Sequence, residues 1–318
     1  SANTRGSGNA GNIIIRAEEI KIAEPIVEFN GNVSGLLTNV ATTGSGNGGS
    51  LDIEAKRVFV YDGGLITAST DGAGNAGAID IRADKIDVAG ESSDGIFRSA
   101  IASSSTTNFN AGSINLNSKE INIRDGASVS VSNLSGGSAG NLTFNAETIS
   151  LDNQASLQAN VAAGNQGNIN LNSQFIQLRR NSNITTNASL VSNGGNITIN
   201  SPVIAGFENS DIIANAFEGN GGNINITTSG IFGLEFRNEL TEESDITASS
   251  EFGINGTVAI NNISLDPSTG LVELPVTLTD SSQQISSGCA SQTGSSFVAT
   301  GRGGIPQNPN EQVDANQT

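Results

Sequence analysis

The chain has 318 residues, with 14 Lys and Arg against 31 Asp and Glu, which gives a formal net charge of −17. It contains one Cys and no His, which excludes histidine-dependent catalysis, histidine metal ligands and zinc sites built on several thiolates. Nucleic-acid binding needs clustered Lys and Arg, which so acidic a chain lacks. The composition therefore predicts no cofactor, no metal ion and no nucleic-acid partner.

The N-terminal residues and the hydropathy pattern give no sign of membrane targeting. No run of about 18 apolar residues is present, so we expect no membrane-spanning segment. Residues 1–11 are polar and Gly-rich and lack the apolar core of a signal peptide. Because the chain also begins without Met, we expect it to be a fragment or a processed form.

A glycine followed two and four residues later by apolar residues recurs along the chain, as in Gly49-Ser-Leu51-Asp-Ile53. The glycines of this motif are Gly11, Gly49, Gly77, Gly112, Gly140, Gly167, Gly195, Gly222 and Gly256. They are separated by 38, 28, 35, 28, 27, 28, 27 and 34 residues. Because five of these eight intervals are 27 or 28 residues, the chain is predicted to be a repeat protein.

Each repeat contains two further apolar segments. Six residues after the glycine is a small residue, and Ile or Val follows three residues later, as at Ser118 and Ile121. The third segments centre on Leu36, Ile66, Ile101, Val129, Leu157, Ile184, Ile212 and Ile246. The segments alternate with period two between Gly, Asn, Ser and Asp residues, which predicts three short strands per repeat.

Three short strands bury a face only when repeats stack on one another. The predicted fold is all-β: a right-handed parallel β-helix with three sheets and about nine coils of 27–28 residues, spanning residues 1–262. Glycine is expected at the corners because it tolerates positive φ. The asparagines that follow the repeat glycines are predicted to form an amide ladder. They are Asn12, Asn141, Asn168, Asn196 and Asn223.

Three long intervals place extra residues between the second and third strands, at about 23–32, 89–98 and 235–243. These insertions share one corner, and insertions on one edge of a solenoid often mark a binding side. The candidate partner-contact residues are Glu24, Glu28, Phe29, Glu91, Asp94, Phe97, Glu235, Phe236, Glu239, Glu242 and Glu243. The alternative is that loops are simply tolerated at this corner and that their acidic residues keep them soluble.

The repeat ends near residue 262. Residues 263–278 alternate apolar positions with two prolines, which predicts terminal strands or a cap. Residues 279–318 are rich in Ser, Gly and Pro and are predicted to be a mobile tail. Cys289 lies in this tail and is interpreted as a lone thiol or an interchain partner, since no His is present to activate it.

No group of residues points clearly to catalysis. The nearest carboxylate cluster is Asp52, Asp80 and Glu54, which Arg16, Arg82 and Lys21 could accompany. A polysaccharide lyase or hydrolase is therefore the alternative function, and scattered charges on a solvated face are the simpler interpretation. Ice binding through a Thr-rich face is a further alternative, but the outward Thr residues are irregular.

The repeat and the C-terminal residues together resemble the filamentous-haemagglutinin-like exoproteins of two-partner secretion systems, most closely the cyanobacterial type. The C-terminal match includes Asp266-Pro-Ser-Thr-Gly270-Leu-Val-Glu-Leu-Pro275, Gly288-Cys289 and residues 296–306. The resemblance implies a secreted or cell-surface protein, associated with the outer membrane and exported through an outer-membrane transporter barrel. It implies adhesion to a host, cell-surface or glycan receptor rather than catalysis. The N-terminal secretion domain of the family is missing, so the chain resembles a C-terminal portion.

Overall fold

The computed structural model describes residues 1–23, 34–165 and 167–262, and these residues form strands and no helix. The candidate residues Glu24, Glu28 and Phe29 lie outside the described residues. The predicted cap at 263–278 and the predicted tail at 279–318, with Cys289, also lie outside them.

The described residues contain 24 strands, most of them three to six residues long. The first twelve are β1 (Ile13–Ile22), β2 (Gly35–Leu37), β3 (Leu51–Tyr61), β4 (Leu65–Thr67), β5 (Ile79–Arg82), β6 (Lys85–Ala89), β7 (Ala100–Ser105), β8 (Ile114–Asn117), β9 (Glu120–Arg124), β10 (Ser128–Asn133), β11 (Leu142–Asn145) and β12 (Thr148–Asp152). The others are β13 (Ser156–Gln158), β14 (Ile169–Asn172), β15 (Phe175–Arg179), β16 (Asn183–Thr185), β17 (Ile197–Asn200), β18 (Val203–Gly206), β19 (Asp211–Ile213), β20 (Asn223–Thr228), β21 (Gly230–Phe232), β22 (Glu235–Phe236), β23 (Asp245–Thr247) and β24 (Thr257–Asn262).

The prediction of a right-handed parallel β-helix with three sheets is wrong, because the strands form two parallel sheets. The larger sheet has 15 strands, in the order β21-β18-β15-β12-β9-β6-β3-β5-β8-β11-β14-β17-β20-β24, with β1 paired to β3. The smaller sheet has nine strands, in the order β2-β4-β7-β10-β13-β16-β19-β23-β22. The described chain is therefore an all-strand parallel solenoid of two sheets. We number its coils 1 to 9 from the nine repeat glycines.

The sheets predicted for the first strands and for the second strands of the coils are joined at β3, which continues through the corner between them without interruption. The first half of β3 pairs with β5 and the second half pairs with β6. In later coils the ladder of hydrogen bonds between neighbouring coils is interrupted at this corner, because two successive N–H groups donate to the same carbonyl. Lys119 and Glu120 both donate to the carbonyl of Asp84, each at 3.2 Å. The sequence does not reveal at which coil this sharing begins.

The interior of the solenoid is filled by stacked aliphatic residues. Each strand alternates inward and outward side chains, and the inward ones stand in register from coil to coil. Ile79, Ile114 and Leu142 are consecutive members of one such row, and all three are fully buried. Burying an aliphatic side chain contributes about 1.5–3 kcal/mol, so these rows are the main source of stability.

The repeat glycines are required by close backbone approach and not by positive φ. None of the nine has a positive φ. A Cβ on Gly77 would lie 1.9 Å from the carbonyl oxygen of Gly49, and one on Gly112 would lie 1.9 Å from that of Gly77. The expectation that these glycines adopt positive φ is therefore wrong. They lie at the points where the backbones of successive coils come into contact.

Candidate binding surfaces

The insertion of coil 3 folds into a short loop stabilised by its own residues. Glu91 and Arg98 form an antiparallel bridge, and Ser92 N–H donates to the carbonyl of Phe97 at 2.7 Å. Asp94 accepts hydrogen bonds from the Ser92 hydroxyl and from Ile96 N–H, which lower the pKa of its carboxyl. Glu91 and Asp94 are exposed and Phe97 is half-buried, so the two carboxylates are accessible while Asp94 also orders the loop.

The insertion of coil 8 covers the end of the nine-stranded sheet. Its residues Glu235 and Phe236 form β22, which pairs in parallel with β23. Leu234, just before β22, is 6% exposed and packs with the core. Part of this segment therefore has a structural role that the prediction of a partner-contact loop did not include. Glu239, Glu242 and Glu243 are exposed beyond it.

A buried carboxylate anchors this terminal insertion. The Asp245 side chain is 0% exposed and accepts hydrogen bonds from Arg237 and from the backbone and hydroxyl of Thr241. Burial raises the pKa of Asp245, but the Arg237 and Thr241 hydrogen bonds outweigh it, so the pKa is lowered. Arg237 also forms an ion pair with Glu235 at 2.8 Å, so the candidate residue Glu235 has a structural role.

The described insertions do not form one acidic edge. Coils 3 and 8 are five levels apart, about 24 Å at a strand spacing of about 4.8 Å. The corner between them carries three ion pairs with equal numbers of positive and negative groups. These pairs are Arg124–Asp125, Arg179–Glu208 and Arg180–Asp152.

The carboxylates considered for catalysis are held in a ladder of ion pairs. Asp52 lies between Arg16 at 3.1 Å and Arg82 at 3.2 Å, and Arg16 also contacts Glu54 at 3.0 Å. The Arg16 hydrogen bond, only partly offset by desolvation, lowers the pKa of Asp52. Asp80 accepts a hydrogen bond from Asn115 at 2.8 Å. Asp52 is therefore held in its ionised form by two arginines, which does not suit a general acid.

Lys21 is not part of that group. It lies in the second half of β1, opposite Phe59, whereas Asp52 lies in the first half of β3, opposite Ile14. The structure therefore brings together Arg16, Asp52, Glu54 and Arg82 from the predicted cluster and leaves Lys21 apart.

The asparagine ladder predicted after the repeat glycines is present. Asn168 Nδ2 donates to Asn141 Oδ1 at 3.0 Å, Asn196 Nδ2 to Asn168 Oδ1 at 3.1 Å, and Asn223 Nδ2 to Asn196 Oδ1 at 3.1 Å. Asn12 Oδ1 instead accepts the N–H of Ser50.

A second ladder, which the sequence analysis missed, runs through Asn117, Asn145, Asn172 and Asn200. The Nδ2 groups of Asn145, Asn172 and Asn200 each donate to the Oδ1 of the asparagine in the preceding coil at 2.9–3.0 Å. Its signal is visible in the sequence as Asn five residues after the repeat glycine in four consecutive coils. Asn145, Asn172 and Asn200 line a cleft of about 410 Å³. The solenoid thus presents continuous rows of amides to solvent.

A polar cluster on the outer face of the second strands was also missed. Tyr61 stacks on Phe59 with ring centroids 5.5 Å apart, and the Arg124 guanidinium lies 5.7 Å from the Tyr61 centroid. Asp87 is 7% exposed and lies 3.4 Å from Arg124 Nε. Burial and the nearby Asp87 raise the pKa of Tyr61 to about 12. The phenol is therefore protonated at neutral pH and cannot serve as a base there.

No protein family, characterised protein or solved structure matches the chain. Among the described residues, no helix is long and apolar enough to cross a membrane. Within the same ranges, no group of three or more Cys, Asp or Glu side chains could hold a metal ion.

Proposed function

We propose that the chain belongs to a secreted or cell-surface exoprotein that acts in adhesion, as a rigid scaffold for binding rather than an enzyme. The observation that carries the proposal is the stacking of outward side chains into hydrogen-bonded rows, as in Asn117–Asn145–Asn172–Asn200. This row places the same donors and acceptors at four consecutive coils, which suits attachment to an extended or repetitive surface. The sequence resemblance to haemagglutinin-like exoproteins supports the same function.

The proposal excludes catalysis because the carboxylates at the centre of the alternative enzyme site are paired with arginines. Asp52, the centre of the alternative lyase or hydrolase site, is held by two arginines. The clefts are open and shallow, and no buried acid–base pair lines those formed by Asn145, Asn165 or Asn160 and their neighbours. Export through an outer-membrane transporter barrel, with the mature protein at the cell surface, is part of the proposal and rests on the resemblance alone.

Adhesion of particles coated with the full chain tests this proposal. Beads carrying the chain should attach to cells or polysaccharide-coated surfaces more strongly than albumin-coated beads, and excess soluble chain should block attachment. Antibodies against the chain should label intact cells that produce it. Absence of attachment on all surfaces would refute adhesion. Turnover of a polysaccharide that is abolished by Asp52→Asn would instead establish the enzyme.

A further inference from the structure

The corner that joins the third strand of one coil to the next coil carries an open cleft. We call this corner the closing corner. At coils 5 and 6 it encloses about 430 Å³, lined by Ala163, Asn165, Asn168, Val191 and Asn193 among others. We call this space the coil 5–6 cleft. Its volume falls within the range of about 300–1,000 Å³ that is usual for small-molecule sites.

The hydrogen-bond relay of the closing corner is interrupted at this cleft. In coils 1 to 3, an Asn Oδ1 accepts a backbone N–H of the next coil, as from Asn110 N–H to Asn75 Oδ1 at 2.9 Å. The relay resumes from Asn220 N–H to Asn193 Oδ1 at 2.7 Å. Among the described residues, the equivalent bond from Asn193 N–H to Asn165 Oδ1 is missing. Asn165 Nδ2 donates to Ser138 Oγ at 3.2 Å, which leaves Asn165 Oδ1 and the N–H of Asn193 for a ligand in the cleft that both residues line.

The chemistry of the closing corner is uncharged. In a chain of net charge −17, the described residues of this corner in coils 3 to 6 include no Asp, Glu, Lys or Arg. The cleft offers the amides of Asn165 and Asn193 beside Val191, which is 66% exposed, while the Asn168 amide is engaged in the asparagine ladder. Amide groups that both donate and accept, next to an apolar wall, match a molecule with hydroxyl groups and C–H faces. An ionic ligand would find no partner.

The same corner extends this surface along the solenoid. A second cleft of about 240 Å³ is shared by coils 4, 5 and 6 and is lined by Leu134, Asn160, Ala162 and Asn187. Leu134 is 67% exposed and the cleft again combines amides with apolar groups. Because both clefts include coils 5 and 6, they lie side by side at this corner, and together they suit a ligand longer than one sugar ring.

We propose that the coil 5–6 cleft binds a neutral carbohydrate, which extends into the neighbouring cleft at Leu134 and Asn160. This inference rests on the proposed adhesive function, because it names the class of receptor. Amide hydrogen bonds from Asn165 and Asn193 select sugar hydroxyls, and Val191 contacts a sugar C–H face. The missing carboxylates and cations distinguish this site from one for acidic polysaccharides.

Affinity electrophoresis of the full chain through gels containing dextran, laminarin, hydroxyethyl cellulose or mannan tests the inference, with alginate and polygalacturonate as acidic probes. At least one neutral polymer should retard the chain. Asn165→Ala should weaken that binding about tenfold, the effect of losing one ligand hydrogen bond. Val191→Asp should abolish it by placing a charge on the apolar wall.

Asn75→Ala is the matched control, since Asn75 has the same position in the relay but lies outside the cleft. Each of the two substitutions removes one side-chain hydrogen bond, to Asn110 N–H in one case and to Ser138 in the other, but Asn75→Ala should leave binding unchanged. The inference fails if no neutral polymer retards the chain, if only acidic polymers do, or if the Asn165 and Val191 variants bind as the wild type does. If coated beads still adhere in those cases, the adhesive function stands without this receptor.

Discussion

Leu234 lies against Gly206, so closely that a Cβ added to Gly206 would stand 2.6 Å from Leu234 Cγ. This contact lets the coil 8 insertion close over the preceding coil and align β22 beside β23. The insertion thereby occupies the place where a further strand could pair, and open sheet edges are sites of unwanted strand addition. Its first residues protect the sheet, and its exposed acidic residues lie beyond them.

Truncation of Leu234 tests this capping role. Leu234→Ala removes a core side chain that is 6% exposed and should lower the free energy of unfolding by about 2–3 kcal/mol. Leu240→Ala, in the same insertion but 48% exposed, should change it little. Urea denaturation of both variants measures the difference. Equal effects would show that the insertion does not pack as a cap.

The repeat glycines allow the effect of an added Cβ to be compared at two positions of the same motif. Gly112→Ala would place Cβ 1.9 Å from the carbonyl oxygen of Gly77, and backbone atoms there cannot move aside. We expect a loss of about 3 kcal/mol or failure to fold. Gly11→Ala should be tolerated, since the added Cβ would meet only Ala2 Cβ at 3.8 Å. Thermal denaturation distinguishes the two, and a stable Gly112 variant would contradict the stacking geometry.

The second asparagine ladder should lose stability in proportion to the hydrogen bonds removed. Asn172 donates to Asn145 and accepts from Asn200, so Asn172→Ala removes two bonds. Asn117 makes one ladder bond, by accepting from Asn145. At about 0.5–1 kcal/mol per bond, Asn172→Ala should cost about twice as much as Asn117→Ala. Chemical denaturation of the two variants checks the ratio; no difference would mean that the ladder adds nothing to stability.

Asp211 should make the solenoid less stable at neutral pH than at acidic pH. It is 7% exposed and its Oδ1 accepts Asp245 N–H at 2.8 Å. Burial raises its pKa, the Asp245 N–H opposes this, and the negative charge of Asp245 raises it further. A raised pKa contributes stability below the unfolded pKa, near 4, and loses it as the pH rises through the folded pKa.

Asp211→Asn should therefore raise the free energy of unfolding at pH 7, because the amide keeps the Oδ1 acceptor without the buried charge. The gain should vanish below about pH 4. Denaturation at a series of pH values measures it, and the charged neighbours Asp245 and Arg237 remain in both forms. Asn183→Asp, one coil earlier in the same column, is the reverse substitution and should destabilise at pH 7. A gain that does not depend on pH would refute the role of the carboxyl.

The repeating rows could be predicted from the sequence because they follow from period and residue type alone. Ile79, Ile114 and Leu142 stand in register as the glycine spacing requires. The joining of two columns at β3 could not be predicted, since it depends on which backbone N–H groups share a carbonyl at Asp84.

The binding surfaces were harder to predict. Glu235 and Phe236 form a two-residue strand, which is too short for alternation to reveal. Asp245 looks like other acidic residues of its segment, yet its side chain is fully buried. Asn165 has the same residue type as the other asparagines of the relay but does not accept the backbone N–H that they accept. A change in geometry at a position of unchanged residue type cannot be predicted from the sequence.

The constant offset between hydrogen-bonded coils has a consequence for folding. Ladder partners lie 27 to 38 residues apart all along the chain, so no contact waits for a distant segment to be made. Each coil needs only the one before it as a template, and the loop-closure entropy of a step stays the same as the solenoid grows. A chain that becomes available from one end can therefore fold coil by coil, and each added coil covers the exposed strands of the coil before it.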